Sequence, residues 1–217
     1  MKKQEAVLKR VLEGYGIRDS GKRILRIEKY VELLRNKRDW AGLTSRALAE
    51  DIEVAIAESV MFLAVIKREP LCIVEIGSGG GLLGVVLSIV CDDWVVTMVE
   101  SSSRKSAFLA EVIGALEIRN AELVLSRVES LLGKREFDAC VSRAAGGLKE
   151  LAPVALGLLR KGGRYVALKA SGVHGEANDA KETIESSRGR VVDIVRPHFP
   201  ETETPQRGAS LVVIEKL

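Results

Sequence analysis

The sequence predicts an α/β protein: a doubly wound, mostly parallel seven-stranded sheet ending in an antiparallel hairpin, with an N-terminal helical cap. Three observations carry that expectation. Up to Pro70 the apolar residues recur at helical spacing. From Leu71 onward short apolar runs alternate with helical stretches, the pattern of parallel strands joined by crossover helices. The last two apolar runs are separated by the Pro- and charge-rich stretch 197–208, which has no helical periodicity, so they should pair antiparallel.

Each element follows from a local signal. Residues 4–13 carry Val7, Leu8, Val11 and Leu12 on one face, and Gly14 and Gly16 end the run. Asp19 or Ser20 can cap a second helix with Ile24, Ile27, Val31 and Leu34 on one face. Thr44 or Ser45 can start a third, through Ile52, Ile56 and Val60 to Ile66, which Pro70 stops. Beyond it, strands are expected at 71–76, 94–99, 121–125, 137–142, 164–169, 190–196 and 209–216, and helices at 81–91, 103–117, 147–160 and 177–188. The division is a cap over residues 1–69 and a core over 70–217.

Composition narrows the function classes. The 217 residues are 47% hydrophobic and 29% charged, a globular composition. The longest apolar stretch, near Gly81 to Cys91, is broken by Ser88 and falls short of the roughly 18 residues of a membrane span. No apolar leader follows Met1, so a cytoplasmic protein without membrane contact is expected. Cys72, Cys91 and Cys140 lie far apart in apolar runs, which predicts reduced, buried thiols. With only two histidines, His174 and His198, no metal site is expected. The net charge of +3 hides an asymmetry. The first 46 residues hold 13 Lys/Arg and 6 Asp/Glu; the remaining 171 hold 20 and 24. A basic cap on a mildly acidic body suggests contact with a polyanion, although Lys and Arg also favour ordinary solvated helix faces.

The first strand runs into Gly77-Ser78-Gly79-Gly80-Gly81, and a helix follows. Such a loop lets the backbone approach a ligand at a helix N-terminus. Two registers compete. Glu75-x-Gly77-x-Gly79-x-Gly81 resembles the acidic glycine signature of class I S-adenosylmethionine-dependent methyltransferases. Gly79-x-Gly81-x-x-Gly84 is a nominal dinucleotide fingerprint that starts two residues late. Glu100, which ends the second strand 19 residues after Gly81, can accept from both hydroxyls of a ribose. The glycine pair Gly162-Gly163 before the fifth strand, and the closing hairpin, resemble the methyltransferase pattern.

Ligands of an open parallel sheet sit beyond the carboxyl ends of its strands. Basic residues stand at four of them: Arg104 with Lys105, Arg127, Arg143 and Lys169. Together they would form a cationic rim suited to a phosphate backbone. The place of an Asn/Asp-Pro-Pro-aromatic motif for exocyclic amines holds Ser142-Arg143-Ala144-Ala145, and Cys140 lies inside its strand rather than on a loop. A guanine N7 needs neither device, because it brings its own lone pair.

These residues resemble the bacterial small-subunit ribosomal RNA methyltransferase G family, also called glucose-inhibited division protein B. The similar stretches include Tyr30 to Leu34, Leu43-Thr44-Ser45, Glu75 to Gly84, Glu100 to Leu109, Ser126-Arg127-Val128-Glu129, Ser142-Arg143-Ala144 and Ala167-Leu168-Lys169. The resemblance implies a Rossmann-like fold and methyl transfer from S-adenosylmethionine to a guanine N7 of 16S ribosomal RNA. Naked RNA or the small subunit would be the partner, and the enzyme would act as a monomer. It implies cofactor contacts from Gly77, Leu82, Val128, Glu129 and Arg143, to which the reading of the glycine turn and strand end adds Glu75, Ser78, Gly79, Gly81, Glu100 and Ser101. It also implies an active-site rim of Arg104, Arg127, Arg143 and Lys169, with Lys22 to Arg38 on the RNA backbone. The chain departs from the family pattern at Leu83 (Pro expected), Gly42 (Asn), Val54-Ala55 (Arg-His), Arg104 (Lys) and Ala170 (Gly). Two other readings stay open: a class I methyltransferase for a small molecule or protein, and a non-catalytic ribosome-binding protein with a vestigial pocket.

Overall fold

The structure, a computed structural model, describes residues 2–41, 52–66, 69–143, 145–196 and 209–217. The cap begins with helices α1 (Lys2–Gly14), α2 (Ser20–Ala41) and α3 (Ile52–Val60), the last running into a 3-10 turn at Met61–Ala64. Then follow β1 (Cys72–Ile76), α4 (Gly84–Val90), β2 (Val95–Glu100), α5 (Ser103–Ala115), β3 (Ala121–Leu125), a 3-10 turn (Val128–Leu131) and β4 (Phe137–Arg143). The chain finishes with α6 (Leu148–Leu158), β5 (Leu159–Lys169), α7 (Val173–Asp179), α8 (Lys181–Ser186), β6 (Gly189–Val195) and β7 (Ser210–Lys216). The expected third-helix start at Thr44 or Ser45, Gly42, and the stretch 197–208 lie outside the described residues.

The sheet order is β3-β2-β1-β4-β5-β7-β6. The first five strands are parallel, and β7 pairs antiparallel with both β5 and β6. The order reverses between β1 and β4, so the carboxyl ends of those two strands flank the crevice where ligands of such sheets bind. The inner strands are buried on both faces, which explains their unbroken apolar runs. Alternate residues feed two cores. Ile73, Val96, Met98, Val141 and Val213 meet α4, α5 and the cap; Val74, Cys140, Tyr165 and Ile214 meet α6, α7 and α8.

Two expectations change. The fifth strand begins at Leu159, not at 164, but its register with β4 shifts between Leu159 and Arg164, where Gly162 takes φ +76° and a Cβ on Gly163 would stand 2.9 Å from the carbonyl oxygens of Arg160 and Asp138. The helix expected over 177–188 is two short helices that meet at Ala180. Of the three cysteines, Cys140 is buried but Cys72 and Cys91 are only half-buried.

The cap is not a separate packing unit. Leu12, Ile24, Tyr30 and Phe62 share one continuous core with Leu83, Leu87 and Leu109. Its cations point inward as well as outward. Arg23 donates to the Ile89 carbonyl and grips the Asp92 carboxylate at 2.7 and 3.1 Å. Arg26 donates to the Leu116 carbonyl at 2.9 Å, and Lys29 to that of Ala115 at 3.0 Å. Lys37 pairs with Glu111. The carbonyl acceptors Ile89, Ala115 and Leu116 lie at the carboxyl ends of α4 and α5, where carbonyls lack intrahelical partners and the helix dipole favours a positive charge. Four of the cations expected on RNA therefore dock the cap. Arg23→Ala should lower stability by about 1–3 kcal/mol in urea titration, since it strips a charge-assisted pair and leaves the Ile89 carbonyl without this donor. Asp92→Asn, at a 62% exposed side chain, should cost under about 1 kcal/mol.

Candidate active site

The turn after β1 is wound by three glycines at positive φ, Gly77 (+70°), Gly79 (+57°) and Gly81 (+85°). The amides of Gly77 and Ser78 both donate to the Val99 carbonyl at 3.1 Å, and that of Gly81 to the Ser78 carbonyl at 2.8 Å. A Cβ on Gly81 would lie 2.6 Å from Val85 Cγ2 and 2.7 Å from Leu109 Cδ2. The turn thus exists only with bare Cα atoms. Gly84 opens α4, and a Cβ there would lie 2.3 Å from Glu75 Oε2. That glycine lets helix and strand approach closely, the role of the third glycine in a dinucleotide turn, so one loop satisfies both sequence registers. Leu83, where the family pattern has Pro, buries its side chain in the core and leaves the turn intact.

Beside the turn, Gly77, Val99, Ser101, Ser126, Arg127, Val128 and Glu129 line an open cleft. Five of these were expected from sequence; Val99 and Ser126 were not, although Ser126 opens the Ser-Arg-Val-Glu element. Glu100, buried at the end of β2, accepts from the Gly79 amide at 2.8 Å through Oε2 and from the Ser102 amide at 2.7 Å through Oε1. It braces the turn while a second lone pair on each oxygen stays available in principle to a hydroxyl.

Glu75 lies beneath the turn, 2% exposed. Its Oε2 and the Ser78 Oγ are buried without a hydrogen-bond partner. Burial pushes the Glu75 carboxyl up to about 7; the nearby Ser78 hydroxyl, the Gly84 amide and the charge of Arg143 oppose the rise, and the charge of Glu100 adds to it. An orphaned carboxylate oxygen and hydroxyl beside a cleft are the acceptors an ammonium group would satisfy. The donor set therefore fits the amino-acid end of S-adenosylmethionine.

The expected rim divides. Arg104, in the first turn of α5, and Arg127, past β3, are exposed. Arg143 is not on an open rim: Nη2 is 2.9 Å from Glu58 Oε2 on the cap helix α3, and its side chain is only 10% exposed. Lys169 likewise pairs with Glu176 at 2.7 Å and donates to the Gly146 carbonyl. Glu176 also accepts from the Leu148 amide at 2.8 Å, so the Lys169 pair pins the loop after β4. The cap reaches the turn itself through the Tyr30 hydroxyl, which donates to the Gly80 carbonyl at 2.6 Å, and the Ser59 hydroxyl, which donates to that of Leu82 at 2.7 Å. Glu58, Ser59 and Glu176 carry no motif that sequence reading could weigh, and Tyr30, which opens a stretch similar to the family, had no role assigned to it.

A protein-family model described as rRNA small subunit methyltransferase G matches residues 23–203. A relative from Syntrophomonas wolfei, named ribosomal RNA small subunit methyltransferase G, is 30% identical over 195 residues, covering 88% of this chain and 89% of its own. One of the same name from Clostridium botulinum is 27% identical over 202 residues, covering 88% and 83%. Among solved structures, a precorrin-6y C5,15-methyltransferase from Geobacter metallireducens is similar at TM-score 0.55 and 16% identity, covering 81% of this chain and 90% of that one. An M. jannaschii protein in complex with AdoMet has TM-score 0.56 at 16% identity, covering 81% and 78%. These two share the fold. The glycine turn over a buried carboxylate, the sheet that carries it and the extent of the family match together make this chain a member of the rRNA small subunit methyltransferase G family, an S-adenosylmethionine-dependent methyltransferase.

Proposed function

We propose that the protein transfers a methyl group from S-adenosylmethionine to N7 of a guanine in 16S ribosomal RNA, as a cytoplasmic monomer. The observation that carries this reading is the orphaned Glu75 carboxylate beneath an intact glycine turn, beside a cleft framed by Val128 and Glu129. When bound, S-adenosylmethionine supplies a methyl group activated by a positively charged sulfur. Glu75 and Ser78 would hold its ammonium end, Glu100 its ribose, and the 128–129 backbone its adenine.

A guanine N7 is its own nucleophile, so the chain needs to supply no base and no thiol. Cys140 agrees with that: it is fully buried in β4, and burial raises its thiol far above the ordinary range, which disfavours a thiolate. What the chain supplies is position and field. Arg104, exposed in the first turn of α5, and Arg127, exposed past β3, would meet phosphates. Lys169, paired with Glu176 and the Gly146 carbonyl, would hold the segment that follows β4 in position.

Transfer of labelled methyl to 16S RNA lacking this modification, followed by mass mapping of the product base, tests the reading. No transfer to either naked RNA or small subunits at low salt would refute it. Arg127→Ala should weaken RNA binding across sequences and reduce the slope of log K against log salt by about 1, measured by filter binding at several salt concentrations. An activity on small molecules or protein would be indifferent to that substitution.

A further inference from the structure

We infer that Glu58 is a positioning residue for Arg143, and that through this pair the cofactor turn depends on the docked cap. The inference rests on the S-adenosylmethionine reading of the site. Arg143 closes β4, and a Cβ on Gly77 would stand 3.3 Å from Ala145 just beyond it. An arginine there lies against the turn. Its guanidinium is held on the cap side: by Glu58 Oε2 at 2.9 Å, by the Ala55 carbonyl, and by Ser59 Oγ at 3.4 Å. The two charged side chains are 10% and 11% exposed.

A buried guanidinium cannot shed its proton, and its planar fork fixes its direction once carboxylate and carbonyl are both engaged. The other buried carboxylate that feels its charge is Glu75, whose acidity Arg143 increases. With Glu58 neutral, Arg143 would lose this counter-charge and be drawn toward Glu75, the acid assigned to the cofactor ammonium. Glu58 thus sets where the Arg143 guanidinium stands. The same helix anchors the Leu82 carbonyl through Ser59, and α2 anchors that of Gly80 through Tyr30. Cap contacts therefore fall on both the turn and the β4 end.

The test compares wild type with Glu58→Gln, Glu58→Asp and Arg143→Lys by two readouts. One is the KM for S-adenosylmethionine against kcat in methyl transfer. The other, which needs no cofactor, is amide hydrogen exchange over residues 77–82. Glu58→Gln should raise KM about tenfold or more while kcat changes less, and should speed exchange in the turn. Glu58→Asp should recover most of both. The proposal is overturned by a KM within twofold of wild type, by unchanged exchange, or by an Asp variant no better than Gln. Should Glu58→Gln fail to fold, Arg143→Lys must show the same signature, and its absence overturns the proposal equally. A wild-type protein that binds no S-adenosylmethionine refutes the cofactor reading instead, while the exchange comparison still decides the role of Glu58.

Discussion

Gly81→Ala is expected to abolish S-adenosylmethionine binding and to destabilise the protein by about 2–5 kcal/mol. Two independent costs add. The residue sits at φ +85°, where an L side chain is disfavoured by roughly 1–2 kcal/mol. Its new Cβ would also fall 2.6 Å from Val85 and 2.7 Å from Leu109, forcing core atoms apart at roughly 1–3 kcal/mol. Both neighbours anchor the start of α4 and the body of α5, so relief must come from the turn, which then loses its shape. Gly133→Ala is the matched control. It has φ +70° and nothing within 4 Å of the added Cβ, so it should lose only the backbone part and bind cofactor normally. Urea unfolding and titration calorimetry check both. A Gly81→Ala protein within about 1 kcal/mol of wild type and with unchanged affinity would show that the turn is not what holds the ligand.

The turn was legible in the sequence because everything that makes it is local. Glu75 and the glycines lie within seven positions, and their spacing alone gives a strand end, a positive-φ turn and a helix start. The inner strands were legible for a related reason: burial on both faces leaves a largely apolar run that needs no partner to be recognised. Where reading failed, the deciding contact was distant or the pattern continued past the break. Ala177, Ala180 and Ile184 keep helical spacing and are all buried, so the chain reads as one helix although it turns at Ala180. Gly162-Gly163 reads as a turn before a strand. The pair instead forms an irregularity inside the strand, with Gly162 at φ +76° and Gly163 close to the Arg160 and Asp138 carbonyls.

The cations show the same limit more sharply. Arg143 and Lys169 at strand ends have the sequence appearance of a free rim. Arg143 is answered by Glu58, 85 residues away, and Lys169 by Glu176, 7 residues away on a helix that turns back over the site. Likewise the +7 of the first 46 residues suggested an RNA-facing surface. Arg23, Arg26 and Lys29 instead neutralise the carboxyl ends of two core helices 66 to 90 positions downstream. A positive charge in a sequence does not say whether an acid or a carbonyl from another segment meets it. On the proposed function, fewer of these cations are left for phosphates, and Arg104 and Arg127 stay exposed.

Glu75→Gln should stabilise the cofactor-free protein above neutral pH while weakening its hold on S-adenosylmethionine. The carboxyl titrates near 7 in the folded protein against 4.5 ordinarily, chiefly because burial disfavours its charged form. The folded state therefore holds the proton more tightly than the unfolded chain. Below about pH 4.5 both are protonated and nothing is lost; stability then falls as pH rises through about 7, and the loss is complete above it. The gap corresponds to roughly 3 kcal/mol. Glutamine is neutral throughout and removes this slope. Thermal melts should give a Tm higher by roughly 6–12 °C at pH 8 if the whole penalty is relieved, and nearly equal Tm values at pH 4.5. The same substitution deletes the negative charge that an ammonium would meet at the orphaned Oε2, so affinity should fall about tenfold or more by calorimetry at pH 8. Parallel pH slopes in the two proteins would show that Glu75 is not the buried acid that limits stability. A higher Tm with unchanged affinity would separate the two roles and move the ammonium site elsewhere. Both changes together would identify one carboxylate as the group that costs the empty protein stability and gives the loaded one its grip.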